Sequence, residues 1–337
     1  MDSLLTADPA FAAEFEARQS QFDPFDESHP LDISIVADFK SFNRQKDPEN
    51  YHPATLQYVI NDTIRLSREI GIRARGNHRR ATCKYPPIKL NFKKKLAVVD
   101  WIKEFDKMKM VGSCQDAASF EQFVLAEYTI YKMLNELTDE SFRVRLIRVN
   151  YIDTSNDKMK SAERMAFLIE PHQSLGKRIN ASRVDTPVFT LEAYPEPQIR
   201  LINTFQYMVG NTDWSIPALH NIAVFKPNDV SKFTPTAVAY DFDMSGIINS
   251  PYAVPNESLG IANVRTRLFR GLCGSVDEYS NEVELFLSKK EILYGTISES
   301  QFLTDQMKSS MTKYLDSFYA TLTDEKRWER VVMTNCK

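Results

Sequence analysis

Alternation of apolar and polar positions in the first half of the chain predicts β-strands. Leu31, Ile33, Ile35 and Ala37 alternate with polar residues, apart from Val36, which is typical of a half-buried strand. Further strand candidates follow in the segments 55–60, 64–75, 87–92, 107–112, 143–152 and 164–170. We therefore expect an antiparallel, β-rich N-terminal half.

One amphipathic helix is predicted to interrupt these strands at about 118–137. Its apolar face has the i, i+3, i+4 spacing of a helix and contains Phe120, Phe123, Val124, Tyr131 and Leu134. Glu127 lies on that same face. A carboxylate in an apolar stripe needs a partner, because burying it alone is costly. Glu127 is therefore a candidate functional residue.

From about residue 195 the hydrophobic pattern is mostly helical. A short amphipathic helix is predicted at 199–209, and several helical segments follow within 258–333. Strands at 222–226 and 236–241 flank a polar loop, which predicts a hairpin. The polar, proline-containing region 172–197 is the expected connection between the two halves.

These patterns together predict an α+β protein in three parts. They are a helical arm at 1–28, a β-rich lobe with one helix at 29–175, and a mainly helical lobe at 176–337. A length of 337 residues fits one large domain or two lobes that share a cleft.

Composition and charge remove several classes of function. The chain has 42 Lys and Arg against 45 Asp and Glu, so it lacks the basic excess of a nucleic-acid-binding surface. It has no apolar run long enough to span a bilayer, and its N-terminus lacks the basic and apolar regions of a signal peptide. As written, the sequence predicts a cytoplasmic protein. A trimmed N-terminus would make an extracytoplasmic location the expectation instead.

The motifs that the sequence lacks exclude further classes of protein. Four cysteines without a CxxC motif do not predict a disulfide scaffold or a zinc site. Cys83 and Cys114 could pair if their strands are neighbours, and the sequence leaves this open. The chain has no GxGxxG, GxxxxGK[ST] or GxSxG motif, which argues against dinucleotide-binding, P-loop and α/β-hydrolase proteins.

The most informative stretch runs from Asn211 to Asn221 and continues after the predicted hairpin with Tyr240-Asp241-Phe242-Asp243. Phosphoryl transfer needs one carboxylate beside the attacking hydroxyl, and an amide oxygen and a second carboxylate to hold Mg²⁺. Asp213, Asn221 and Asp241 supply this set. The hairpin begins after Asn221 and returns the chain to Asp241, so we expect the three side chains to converge.

Binding of the nucleotide phosphates in a kinase requires a lysine paired with a carboxylate on a helix. Glu127 is the candidate for this carboxylate. Lys109 lies on the strand before the helix, and Lys89 lies in the strand 87–92, with Lys107 as a third candidate. The sequence does not choose among them. Glu170, at the end of a strand, is the candidate position for contact with adenine through its backbone.

Four further polar residues have two interpretations each. His220 is either a proton relay or a structural hydrogen-bonding group beside the loop. Arg265, Arg267 and Arg270 either meet a phosphate or an acidic substrate, or form salt bridges within the fold.

The ordered motifs resemble the CotH kinase family, the spore-coat protein H type of atypical kinase, and more distantly the HipA-like kinases. They are Arg75-Gly76-Asn77, the strand 87–92 with sequence PIKLNF, the segment from Asn211 to Asn221, and Asp241-Phe242-Asp243. The resemblance spans roughly residues 30–275. It is to a family in which a subgroup of bacterial proteins has the same ordered motifs. The eight-residue step from Asp213 to Asn221 is longer than in protein kinases, and no glycine-rich phosphate loop is present.

The resemblance implies a divergent protein-kinase-like two-lobed fold and a role for each motif residue. Asp213 would be the catalytic base, and Asn221, Asp241 and Asp243 would bind the metal. The implied cofactors are ATP and Mg²⁺, with Mn²⁺ as a substitute, and the implied acceptor is a hydroxyl of a protein or small molecule. Three alternatives stay open: AMP transfer at the same site, a pseudokinase or interaction module without catalysis, and a carboxylate-metal hydrolase using Asp241 and Asp243.

Overall fold

The computed structural model describes Phe25 and residues 29–61, 64–76, 78–92, 106–156, 160–186 and 189–334. Apart from Phe25, the predicted N-terminal arm lies outside the described residues. The chain divides into two compact units. We call Met1–Asp116 with Val144–Pro171 the barrel unit, and Ala117–Arg143 with His172–Lys337 the helical unit.

Seven strands form the barrel unit, and two short helices accompany them. The strands are β1 (Leu31–Ala37), β2 (His52–Asn61), β3 (Ile64–Ala74), β4 (Ile88–Asn91), β5 (Lys107–Val111), β6 (Val144–Asp153) and β7 (Ser161–Ile169). Helix α1 (Phe39–Gln45) follows β1, and helix α2 (His78–Thr82) follows β3. The strands close in the order β1-β2-β3-β4-β5-β7-β6. The predicted strands are therefore confirmed, with small differences at their ends.

A parallel pair of strands closes the barrel, so the observed fold class differs from the predicted one. Each neighbouring pair is antiparallel except β1 and β6, which run parallel with Leu31 opposite Ile147 and Ala37 opposite Asp153. The predicted protein-kinase-like two-lobed fold is therefore wrong, since its β-rich lobe would be an open antiparallel sheet. The two-residue period located the strands, but it carries no information on which strands pair.

The interior of the barrel is filled by the alternating apolar residues that predicted the strands. Ile35, Ile70 and Ile72 have no exposed surface, and Leu56, Leu90 and Met108 are at most 2% exposed. Burying side chains of this size contributes roughly 1.5–3 kcal/mol each. This core is the main stabilising feature of the unit.

A disulfide joins Cys83, just after α2, to Cys114, three residues after β5. The pairing that the sequence left open is thus present. Cys273 in the helical unit is disulfide-bonded as well.

The helical unit contains seven α-helices within the described residues and one small sheet. The helices are α3 (Ala118–Leu137), α4 (His172–Arg178), α5 (Glu196–Val209), α6 (Ser280–Ser288), α7 (Lys290–Ser298), α8 (Asp305–Leu322) and α9 (Glu325–Thr334). The sheet has the order β10-β9-β8, formed by β8 (Ala181–Val184), β9 (Ile222–Pro227) and β10 (Thr236–Ala239). In the part of the chain described, no helix has both the length and the apolarity needed to cross a bilayer.

The predicted helix at 118–137 and the predicted hairpin are confirmed as α3 and the pair β9–β10. Two segments differ from expectation. The region 172–197, expected to be a connection, contains α4 and the edge strand β8. Helix α3, predicted to belong to the β-rich half, is part of the helical unit. Its apolar face packs there, for example where Tyr131 contacts Phe242 with 4.8 Å between ring centroids.

An aromatic cluster anchors α5, the helix that leads into the candidate site. The Tyr207 ring lies 5.9 Å from Phe269, 6.2 Å from Phe318 and 6.1 Å from Trp328, measured between centroids. Aromatic pairs at such distances add roughly 0.5–1.5 kcal/mol beyond the area they bury. The C-terminal end of α5 is therefore held firmly against α8 and α9.

Arg267 caps the C-terminal end of α5. Its Nε donates to the Tyr207 carbonyl at 3.0 Å, and its Nη2 donates to the Met208 carbonyl at 3.2 Å and to the Tyr314 carbonyl. Its Nη1 donates to Ser317 Oγ at 2.6 Å. Burial lowers the pKa of this guanidinium, with Tyr314 acting in the opposite direction. Arg267 thus binds backbone carbonyls at a helix end, where a cation is favoured.

Replacing Arg267 with Lys should destabilise the helical unit by about 2–3 kcal/mol. A lysine ammonium lacks the planar fork, so carbonyls now bound would lose their donor, and each such loss costs roughly 1–3 kcal/mol. Urea unfolding followed by tryptophan fluorescence measures this, because Trp328 packs in the same cluster. The matched control is Arg330→Lys on the exposed face of α9, expected to change stability by less than about 0.5 kcal/mol. Equal effects of the two changes would contradict the capping role.

Candidate functional site

The end of α5 places Asp213. The helix stops at Gly210, whose φ of 66° is a left-handed conformation that favours glycine. Just beyond it, the Asp213 N–H donates to Asn211 Oδ1 at 3.0 Å, and the Trp214 indole N–H donates to the Asn211 carbonyl at 3.1 Å. These bonds fold residues 211–214 into a fixed turn with the Asp213 carboxylate on its outer side, 43% exposed.

A small closed loop brings His220 and Asn221 back to Asp213. The backbones of Ser215 and His220 exchange two hydrogen bonds, each 2.9 Å long. His220 Nε2 then lies 2.8 Å from Asp213 Oδ1, and Asn221 Nδ2 donates to Asp213 Oδ2 at 3.1 Å and to its carbonyl at 2.7 Å. The loop therefore allows Asn221 to contact Asp213 although eight residues separate them in the sequence.

The hairpin β9–β10 returns the chain beside Asn221. Ile222 lies opposite Ala239, and the Tyr240 N–H donates to the Asn221 carbonyl at 3.0 Å. The Asp241 N–H donates to Tyr131 Oη on α3 at 2.8 Å. The structure thus brings together Asp213, Asn221 and the backbone of Asp241.

Backbone strain is concentrated at this site. Six non-glycine residues of the described chain have positive φ, and three of them are Leu219 (49°), Asn221 (53°) and Asp241 (66°). The left-handed region is unfavourable for residues with a Cβ, above all for a bulky one such as Leu219. Strained backbone persists where surrounding contacts hold it and is commonest at binding and catalytic sites.

Arg270 holds the turn that carries Asp213. Its Nη1 donates to the Thr212 carbonyl and, at 2.7 Å, to the Trp214 carbonyl, so it binds the backbone on both sides of the aspartate. Burial lowers the pKa of this guanidinium, and the nearby Asp213 charge acts in the opposite direction. An arginine keeps its charge in either case, so Arg270 positions Asp213 and places positive charge near it.

Two other predicted residues of the helical unit, Asp243 and Glu127, are more buried than Asp213. Asp243 is 7% exposed, and its carbonyl accepts from Ser250 Oγ at 3.0 Å. Glu127 is 1% exposed and lies one helical turn before Tyr131 on α3. Among the described residues, no group of three or more His, Cys, Asp or Glu side chains is arranged to hold a metal ion. Any cation here would depend on few protein ligands.

Lys89, Lys109 and Glu170 belong to the barrel unit. Lys89 lies directly opposite Lys109 in the register of β4 and β5, and both side chains are half-buried. Lys107 is exposed and pairs with Asp106 at 3.2 Å. Glu170, which follows β7, is 1% exposed. The choice between Lys89 and Lys109 stays open, because the two side chains share one face of the barrel wall.

Two contributors to the site were not identified from the sequence. Tyr131 was assigned only to the apolar stripe of α3, although its hydroxyl is the group that binds the Asp241 N–H. Arg270 was considered only as a phosphate ligand or a salt-bridge residue. A tyrosine within the apolar stripe of a helix indicates a hydrogen bond, because a buried tyrosine hydroxyl usually has a partner. No local pattern reveals that an arginine will bind carbonyls 56 and 58 residues earlier in the chain.

Comparison with models of known protein families gives no match, and comparison with curated protein sequences gives none either. The resemblance to the CotH kinase family therefore stays a prediction.

Proposed function

We propose that the helical unit contains the catalytic centre of a Mg²⁺-dependent transferase that moves the γ-phosphate of ATP to a hydroxyl of a protein or small molecule. The observation that carries this proposal is the contact of Asn221 with Asp213 in one strained loop, beside the backbone of Asp241. It does not depend on the kinase-like fold, which the barrel replaces. Phosphoryl transfer needs positioning and charge neutralisation, and unrelated folds can supply both.

Asp213 is the catalytic base in this proposal. Its carboxylate accepts hydrogen bonds from His220 on Oδ1 and from Asn221 on Oδ2. A carboxylate has about four lone-pair sites, so each oxygen keeps one for the proton of an attacking hydroxyl. The side chain is 43% exposed, so an acceptor has access to it. His220 and Asn221 hold the carboxylate in a single orientation, as a base must be held.

Asn221 and Asp241 fit the chemistry of a magnesium site. The Asn221 amide nitrogen is used in its bonds to Asp213, which leaves the amide oxygen for a cation. Magnesium in nucleotide-dependent enzymes is bound by one or two carboxylates together with phosphate oxygens and water. The small number of acidic groups here is compatible with that arrangement. A bound Mg²⁺ would neutralise charge on the phosphates.

The disulfides favour an extracytoplasmic location as part of this proposal. Disulfides form and persist in oxidising compartments and are rare in the cytosol. Cys83, Cys114 and Cys273 are all disulfide-bonded. The acceptor would then be a protein or small molecule of that compartment.

Incubation with Mg²⁺ and ATP labelled at either the α- or the γ-phosphate tests the function. We expect γ-label to transfer to the protein itself or to an added hydroxyl acceptor, and to stop when EDTA removes the cation. Asp241→Asn should weaken Mg²⁺-dependent ATP binding about tenfold or more, because it removes the one negatively charged ligand proposed. Isothermal titration with Mg²⁺ and a non-hydrolysable ATP analogue measures that binding.

Each other outcome has a definite meaning. Transfer of α-label alone would replace phosphoryl transfer with AMP transfer at the same site. Binding of Mg²⁺-ATP without transfer to any acceptor would favour a nucleotide-binding interaction module. Absence of nucleotide binding in both wild type and Asp241→Asn would overturn the proposal.

A further inference from the structure

A cavity of about 650 Å³ opens at one end of the barrel unit. It lies between α1, the start of β4, the end of β5 and the facing ends of β6 and β7. Its size is that of a pocket for a small organic ligand, and the mouth of a β-barrel is a frequent place for such a pocket. The proposed transferase centre does not use it.

The floor of this cavity is apolar. Ile88, Met110 and Phe42 line it and are at most 5% exposed. Beside them, the rings of Phe39 and Tyr151 pack edge to face with 5.3 Å between centroids. A ligand seated here would bury hydrocarbon or aromatic surface against a preformed apolar surface.

The rim of the cavity is basic. Two acidic side chains, Asp116 and Asp153, contribute to the lining, against six basic ones. The basic residues are Lys40, Arg44, Lys46, Lys84, Lys160 and Arg164. The lining thus has four net positive charges in a chain whose formal net charge is −3. A cleft lined by one sign of charge attracts ligands of the opposite sign.

Internal partners occupy both acidic groups. Asp153 accepts from the Phe39 N–H at 3.0 Å and from Ser155 Oγ at 3.0 Å. Asp116 binds the Lys84 ammonium and accepts from Tyr85 Oη at 2.5 Å. By contrast, no acidic side chain in the described ranges pairs with Lys40, Arg44 or Lys160. These three cations are available to a ligand.

The disulfide fixes one wall of the cavity. Lys84 and Tyr85 directly follow Cys83, and Ser113 and Gln115 flank Cys114. The Tyr85 N–H also donates to the Cys114 carbonyl at 3.2 Å. A wall held by a covalent link is ordered before a ligand arrives, and preorganisation favours binding.

We propose that this cavity binds a small amphipathic anion, a molecule with an acyl or aromatic body and a carboxylate, sulfonate or phosphate group. The body lies on the apolar floor, and the anionic group meets the cations of the rim. Neither feature alone defines the ligand, because the apolar floor adds no favourable contact for a bare inorganic anion and the basic rim adds none for a neutral hydrocarbon.

Fluorescence titration of the full chain with 8-anilinonaphthalene-1-sulfonate tests the proposal. This probe combines an aromatic body with an anion. We expect saturable binding at one site, displacement by decanoate, and no displacement by inorganic phosphate at the same concentration. N-phenyl-1-naphthylamine, which lacks the sulfonate, should bind more weakly.

Variants on exposed positions locate the site without disturbing the core. Lys40→Glu with Lys160→Glu should weaken the probe at least about tenfold at low ionic strength, and less in 0.5 M salt. Ala162→Trp should also weaken it, since Ala162 is exposed on β7, lines the cavity and would fill it with a large ring. The matched control is Lys107→Glu, an exposed cation at the opposite end of β5, expected to bind the probe as the wild type does.

Two results would overturn the proposal. One is unchanged probe affinity in both the charge-reversal and the Ala162→Trp variants, which would place the probe elsewhere. The other is displacement by phosphate as effective as displacement by decanoate, which would show recognition of anions without an apolar body.

Discussion

Asp213→Asn should lower the rate of γ-phosphate transfer about 10³-fold and leave Mg²⁺-ATP binding close to the wild-type value. General base catalysis contributes roughly 10²–10⁴-fold, and an amide cannot take up the proton. The change preserves the size of the side chain and keeps one oxygen to accept from His220 or Asn221. A loss in kcat with little change in KM is therefore expected, and single-turnover transfer of γ-label measures it.

His220→Gln separates the two possible bases of the Asp213–His220 pair. If Asp213 takes the proton, His220 only orients it, and the glutamine variant should lose about tenfold or less. If His220 takes the proton, both variants should lose comparable activity. The control is Asp185→Asn, an exposed carboxylate of the same unit that pairs with Arg183 at 2.8 Å. Its rate should match the wild type.

Retention of full transfer activity by Asp213→Asn would refute the assignment of Asp213 as base. Near-ultraviolet circular dichroism tests whether the variant is folded, because Trp214 is 6% exposed and lies next to the substituted residue. An unchanged spectrum with unchanged binding and lost transfer is the pattern we expect.

Elements with strong local patterns were predicted well from the sequence. The predicted bounds of helix α3 agree with the observed ones, because twenty residues with a helical period define both the length of the helix and its apolar face. The hairpin β9–β10 was predicted because a polar loop separates two apolar runs. Its register then brings Asn221 and Asp241 near each other, and this part of the site followed from the sequence alone.

The fold class was mispredicted because it depends on a long-range pair. The parallel contact of Leu31 with Ile147 closes the barrel, and no periodicity within either strand encodes its partner. Similarly, the loop closed by Ser215 and His220 depends on backbone hydrogen bonds that any residue can make. Local elements were thus easier to predict from this sequence than the long-range pairing and the loop geometry.

Removing the Cys83–Cys114 disulfide should destabilise the barrel unit by about 4 kcal/mol. The link closes a loop of 31 residues, and the entropy that such a loop removes from the unfolded chain has about that value. Alanine is the suitable replacement at both positions, since Cys83 is fully buried and Cys114 is 3% exposed. Serine would add the separate cost of burying two hydroxyl groups.

Native-state hydrogen exchange measures this loss within the barrel unit itself. Amide protection in β4 and β5, the strands nearest the link, should fall by about 10³-fold in Cys83→Ala/Cys114→Ala. The matched control is Ser113→Ala, next to Cys114, which removes only the hydrogen bond of Ser113 Oγ to the Gln115 carbonyl at 2.7 Å. It should cost about 1 kcal/mol. Equal protection in the double-alanine variant and the wild type would mean that the disulfide does not stabilise these strands, which would then depend on the apolar core alone.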